Sequence, residues 1–227
     1  MDRFYWYRID LRTEFDFFLE SLKSNKFNEE KAHGFMIDSV SHNGASGRFI
    51  QSKQVIQEFA NPFGDNVLDK RTVFEVIEFD FIIGKTTILQ TKNPGRCVKA
   101  FFNELYECSG YALTVVAPKF NLSEIIGIFR DQGVSFIHVR EIELTDIELS
   151  REAIGSLVIK GALTVNDYEK KLPLANLKHR LKKIRSVVEL HGIRATIEVH
   201  NSNKIVMEAK LAKFITPIVL ETLKSKV

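Results

Sequence analysis

Seven cations gather near the C-terminal end of this chain: Lys178, Arg180, Lys182, Lys183, Arg185, Arg194 and Lys204. Side chains of this type, at this density, neutralise phosphates and release their counterions, so the chemistry they point to is binding of a polyanion, with a steep dependence on salt. The plain alternative is a solvated face whose charges meet only water. Few aromatic residues interleave with the cations, so stacking on the bases of a single strand is poorly supported. No turn between two short helices identifies a reader of base sequence.

A second group could do covalent chemistry. Asp80 is followed by Gln90-Thr91-Lys92, a loose likeness of the acidic-x-Lys core of restriction-type nucleases. There carboxylates hold Mg²⁺ and the lysine steadies the scissile phosphate or the attacking water. Three features count against it here. Gln90 is neutral where a carboxylate is needed. A turn at Gly84-Lys85 predicts that Asp80 pairs with Leu89, which would send Asp80 and Gln90 to opposite faces of the sheet. Glu208-Ala209-Lys210, a second short likeness, has no aspartate just upstream.

Other catalytic patterns are missing. The six histidines are scattered, with no His-x-x-x-His and no Cys-x-x-Cys, so no zinc site is expected. No phosphate-binding glycine loop and no Gly-x-Ser-x-Gly elbow occurs. Cys97 and Cys108 read as packing residues on one helix, about 16 Å apart along its axis at 1.5 Å per residue, too far for a disulfide. No cofactor, no metal and no small-molecule substrate is expected, and the chain is read as a non-enzyme.

The elements that must position these residues follow from periodicity. Val73–Ile83 and Thr86–Lys92 predict a hairpin, with Pro94 opening a helix that carries Phe101, Phe102 and Leu105 and stops at Gly110. Phe4–Leu11 predicts a first strand. Thr13, with Asp16 three residues on, predicts a capped helix ending near Ser24. Gly34–Val40 and Arg48–Gln57 predict two strands, and Asn61–Asp69 a loop. Tyr111–Ala117, a helix over Asn121–Gln132 and Val134–Leu144 predict a strand–helix–strand unit. Thr145 to Glu148 has the pattern of a capping box and predicts a helix to about Leu157; Val158–Asp167 is ambiguous. Pro173–His191 predicts the longest amphipathic helix, with Leu177, Leu181, Ile184 and Val188 on one side, the cations on the other and His191 capping its end. Ile193–His200 and Lys204–Ala209 predict a hairpin, followed by a helix over Leu211–Lys224. Hairpin, lysine and helix thus occur twice, which reads more simply as common grammar than as a duplication.

The whole-chain totals agree with a folded protein: 227 residues, 44% hydrophobic and 27% charged. No apolar run is long enough to span a bilayer and no signal peptide is visible, so a cytoplasmic protein is expected. The net charge of +3 hides an asymmetry, because residues 168–227 hold 13 Lys and Arg against 5 Asp and Glu. A basic end on an acidic body suits a nucleic-acid partner. It would equally suit a complementary contact inside one protein.

At Phe79–Lys92 (FDFIIGKTTILQTK), through the helix after Pro94 and into Val116-Ala117-Pro118-Lys119-Phe120, the chain resembles the RexA-type phage-exclusion proteins. Weaker echoes are Phe4-Tyr5-Trp6-Tyr7-Arg8 and Phe18-Leu19-Glu20-Ser21-Leu22. The resemblance covers roughly residues 73–130 and the N-terminus. It implies a non-enzymatic, dimeric, DNA-binding sensor of abortive infection that signals to a membrane effector encoded beside it. It assigns no DNA contact to any matched position.

Together these readings predict an α+β protein with mixed or antiparallel sheets built from hairpin–helix units and one strand–helix–strand unit. Residues 1–150 are expected to form the body, and 151–227 a basic sub-domain. The expected function is sequence-nonspecific binding of DNA rather than RNA, by a homodimer in phage defence. A Mg²⁺-dependent nuclease and a protein-interaction module are the alternatives.

Overall fold

A computed structural model describes residues 1–28, 30–60, 66–150, 153–163 and 178–225. The fold is α+β, with antiparallel sheets and helices interspersed among the strands. In chain order the elements are β1 (Asp2–Leu11), α1 (Phe15–Ser24), β2 (His33–Ser41), β3 (Gly44–Ala60), β4 (Asn66–Ile82), β5 (Thr87–Lys92), α2 (Val98–Cys108) and β6 (Leu113–Val116). They continue with α3 (Leu122–Asp131), β7 (Ser135–Glu148), β8 (Ile154–Leu163), β9 (Arg180–Leu190), β10 (Ile193–His200), β11 (Lys204–Met207) and α4 (Ala209–Ser225). The chain divides into two compact units, residues 9–115 and residues 1–8 with 116–227.

In the unit of residues 9–115, β2, β3, β4 and β5 form an antiparallel meander. Alternate residues Phe35, Phe49, Ile77, Phe79 and Phe81 are buried on one face, as period-2 alternation requires of a half-covered sheet. Phe101 of α2 lies 5.5 Å from Phe79 and 5.6 Å from Phe49 between ring centroids, and Phe18 of α1 lies 5.5 Å from Phe81. Offset and edge contacts of this kind add to the area that each ring buries. Gly44 ends the tight turn between β2 and β3 at φ +145°, and a Cβ there would stand 1.8 Å from the Phe81 carbonyl oxygen.

Three expectations change here. Residues 66–69 belong to β4 rather than to a loop, and residues 61–65 lie outside the described residues. The N-cap of α1 is Glu14, with no side-chain cap bond, so Thr13 does not cap it. Pro94 precedes α2, whose N-cap is Cys97. Gly110 does close that helix, at φ +61°.

In the other unit, residues 2–5 of β1 pair with β11, and the sheet continues through β10, β9, β7 and β8, antiparallel throughout. α3 packs against β9 and α4, and α4 against β10. The core holds Phe129, Ile142, Ile184, Val188, Ile197, Val199, Ile205, Leu211, Ile215 and Val219. Trp6 is fully buried, and its carbonyl accepts from Asn203 Nδ2 at 3.0 Å.

The predicted helix over Pro173–His191 is overturned: 180–190 is a strand, and 173–177 lie outside the described residues. Ile184, Ser186, Val188 and Leu190 are buried at period 2, and the β-branched Ile184, Val187 and Val188 suit a pleated surface better than a helix. His191 and Gly192, at φ +51° and +75°, form the two-residue turn to β10, with Leu190 opposite Ile193. That turn needs positive φ at both central residues, so His191 is a turn residue and not a helix cap. The helix predicted from Thr145 is also absent: residues 145–148 lie in β7, with an irregularity between Leu144 and Ile147 and Asp146 at φ +56°. β7 pairs on both sides with antiparallel neighbours, β8 and β9, so β6, α3 and β7 are not a parallel crossover between adjacent strands. No helix among the described residues is long and apolar enough to cross a membrane.

Candidate nucleic-acid interface

Because 180–190 is a strand, its cations divide between two faces and meet the neighbouring strands. Lys183 stands opposite His200 of β10 and Glu143 of β7; Arg185 stands opposite Glu198 and Glu141. On this face Lys183 Nζ is 2.6 Å from Glu141 and 3.6 Å from Glu143. Lys204 joins it from β11, two residues before Val206, which pairs with Glu198. The structure therefore brings Lys183, Arg185 and Lys204 together, interleaved with Glu141, Glu143 and Glu198.

The charges here are compensated and mostly withdrawn from water. Lys183 and Glu141 side chains are each 16% exposed. The hydrogen bond from Lys183 holds the Glu141 carboxyl below its ordinary range, and the same bond raises the Lys183 ammonium. Lys182 donates to Glu143 at 2.6 Å and lowers that carboxyl likewise. Burial lowers Lys204, against the pull of Glu198. Burial also lowers His200, although Glu198 sits 2.6 Å from its Nε2. Arg185 Nε is buried without a hydrogen-bond partner among the described residues.

The remaining cations lie outside this network. Arg194 is exposed on β10 opposite Glu189, next to the His191-Gly192 turn. Lys178 and Arg180 are 81% and 66% exposed, with Glu148 and Asp146 at 3.1 and 3.5 Å. Exposed pairs of this kind contribute about 0–1 kcal/mol and yield easily to a competing anion.

Arg180 also lines an open cavity of about 510 Å³ with Lys119, Asn121, Ser123, His179 and Asn201. Lys119 is exposed and has no carboxylate partner among the described residues. It follows β6, and the backbone there is held by Phe120 N–H donating to the Asn201 carbonyl at 2.9 Å. Asn121 caps α3, accepting from Glu124 N–H, so its side chain is already engaged. Charge counts over the C-terminal quarter could not find Lys119, which lies about 60 residues earlier than Arg180 and reaches it only through the fold.

The second candidate group is corrected by the register of β4 and β5. Asp80 pairs with Gln90, Glu78 with Lys92 and Phe81 with Leu89. Asp80, Gln90, Glu78 and Lys92 therefore share one face, contrary to the opposite-face expectation; the connection is four residues, 83–86, and Ile82 faces Ile88. Lys92 Nζ lies 3.0 Å from Glu78. Burial raises the Asp80 carboxyl, the Glu78 charge raises it further, and Lys92 opposes both. Gln90 is 7% exposed. Among the described residues no three His, Cys, Asp or Glu side chains are grouped as a metal ion would need.

Comparison with models of known protein families and with curated proteins finds no match for this chain.

Proposed function

We propose that this protein binds duplex nucleic acid, DNA in preference to RNA, without reading base sequence. In this reading it is the non-enzymatic, dimeric sensor of a phage-exclusion system and hands its signal to a membrane effector. The observation that carries the binding reading is the charge of one unit. Residues 1–8 with 116–227 hold 20 Lys and Arg against 14 Asp and Glu, a net +6, whereas residues 9–115 hold 12 against 15, a net −3. Within the basic unit the cations open to phosphate are Lys119, which is exposed with no carboxylate partner among the described residues, and Lys178, Arg180 and Arg194, whose carboxylate neighbours are themselves exposed. Lys182 is engaged by Glu143. Lys183, Arg185 and Lys204 serve the sheet's own carboxylates and set the field behind them. We also read β4–β5–α2 and β10–β11–α4 as two uses of one hairpin–helix unit.

The test is duplex binding by fluorescence anisotropy across a salt series. Affinity should fall steeply with salt, each phosphate contact adding about 0.9 to the log–log slope. Lys119→Glu combined with Arg180→Glu should weaken binding at least about tenfold and lower that slope. No binding at about 50 mM salt, where electrostatic association is strong, would sink the reading.

The register of β4 and β5 favours one second reading, a divalent-metal nuclease using Asp80 and Lys92. Plasmid incubated with Mg²⁺ or Mn²⁺ decides it. Cleavage lost in Asp80→Asn and in Lys92→Met would support it, and intact plasmid at high protein concentration would remove it.

A further inference from the structure

β3 and β4 run together far beyond the strands that flank them. β2 reaches only to Gln51 on β3, with one more bond from Ser52 N–H to the Ala32 carbonyl, and β5 pairs with β4 only from Glu78 to Ile82. From Lys53 opposite Val73 to Ala60 opposite Asn66, eight register pairs form a ribbon with no third strand among the described residues. At about 3.3 Å per residue that ribbon is roughly 26 Å long. An isolated two-stranded ribbon is marginal in water and needs something to pack on. This one exposes large apolar side chains: Ile56 is 58% exposed, Leu68 59% and Val73 38%.

The pattern on one face says what fits it. Ile56 stands opposite Lys70, and two residues on, Glu58 stands opposite Leu68. Cross-strand partners and i, i+2 neighbours share a face, so these four make a square with the apolar pair on one diagonal and the charged pair on the other. Glu58 and Lys70 are both exposed and neither forms an ion pair among the described residues. A two-fold axis along the Ile56–Leu68 diagonal lays Ile56 on Ile56 and Leu68 on Leu68 of a second copy. The same rotation sets Glu58 of each copy over Lys70 of the other. Axes along or across the strands instead set each apolar residue against a charge. Self-complementarity of this kind is what a two-fold interface requires.

We propose that this face of the β3–β4 ribbon is a homodimer contact, in which two ribbons cross with Ile56 and Leu68 at the centre and reciprocal Glu58–Lys70 pairs around them. A ribbon face about 10 Å wide offers roughly 300 Å² in projection, well below the roughly 800 Å² per partner of a standard interface, so the dimer is a weak, reversible one. The proposal rests on the dimeric part of the reading above and is independent of its nucleic-acid part.

Sedimentation equilibrium of the full chain from about 1 to 200 µM, a range spanning weak association, tests it with three variants. Ile56→Asp should abolish self-association. Glu58→Lys alone and Lys70→Glu alone should each weaken it at least tenfold, because like charges then face each other. Mixed one to one, those two variants should associate again, since one carries lysine at both positions and the other a glutamate. Only a contact between copies predicts rescue on mixing; circular dichroism of each variant checks that it is folded. A wild type monomeric throughout overturns both the contact and the dimer. A dimer unaffected by Ile56→Asp, or charge variants that fail to associate when mixed, overturns this contact and leaves the dimer to another surface. Duplex binding, measured separately on Ile56→Asp, shows whether the ribbon meets nucleic acid instead: lost duplex affinity in a variant whose self-association is unchanged overturns the proposal.

Discussion

At the scale of single residues, Asp80 is the most informative side chain. Its carboxyl is raised, so the folded state holds the proton more tightly than the unfolded chain does. The sign of the linkage follows: the contribution to stability is fully present below the ordinary value of 3.8 and is lost as pH rises through the raised folded value. At pH 7 the protein therefore carries a destabilising carboxylate. Asp80→Asn should raise the melting temperature at pH 7 and leave it unchanged below pH 3.8, the ordinary carboxyl value. An unchanged or lower melting temperature at pH 7 would show that Lys92 compensates the charge fully. Only the register makes this visible, because Asp80 and Gln90 could be placed on the same face or on opposite faces according to one residue of turn length. The chain itself shows Gly84-Lys85 as a turn pair, but not that four residues form the connection.

At the scale of elements, β9 holds the main lesson. Its cations and its apolar residues were both legible in the sequence; its conformation was not. Leu177, Leu181, Ile184 and Val188 fit a helical stripe, while Ile184, Ser186, Val188 and Leu190 fit a strand, and the two periods overlap at Ile184 and Val188. The choice was made by partners more than 30 residues upstream and by a turn: β7 supplies Ile142 opposite Ile184 and Glu141 opposite Arg185, and His191-Gly192 folds β10 back on the other side. Local periodicity carries no record of either strand. By contrast α3 was legible from end to end, because Asn121, its apolar face and Gly133 all lie within the segment. The turn at Gly44 gives a prediction at this scale. Gly44→Ala would place a Cβ against the Phe81 carbonyl in a backbone conformation that alanine avoids, which should cost at least about 3 kcal/mol in chemical denaturation. A loss under about 1 kcal/mol would mean that the β2–β3 turn relaxes freely.

At the scale of the whole molecule, acid should reveal the charge network. Glu141, Glu143 and Glu208 are lowered by hydrogen bonds from Lys183, Lys182 and the Thr196 N–H. His200 is lowered by burial. Groups with depressed folded values contribute stability above their unfolded values and lose it as pH falls. The melting temperature should therefore decline below pH 6.5 as His200 is forced to charge, and again below 4.5 as the glutamates protonate. His200→Gln should remove the first decline and Glu141→Gln with Glu143→Gln should reduce the second. Declines that survive these substitutions would place the titration elsewhere.

The sequence by itself determined the α+β character, the apolar residues of the core, the N-terminal strand, the hairpins β4–β5 and β10–β11, and the concentration of positive charge late in the chain. Each depends on composition or on a pattern contained within a single segment. The tertiary structure decided where those charges went. Strand pairing set Lys182 and Lys183 against carboxylates of β7 and left Lys119 and Arg180 open to solvent across one cavity. Pairing register depends on contacts between distant segments, and a one-residue change in it exchanges the faces of a strand. That is why the cations could be counted along the chain, but their partners could be found only in the fold.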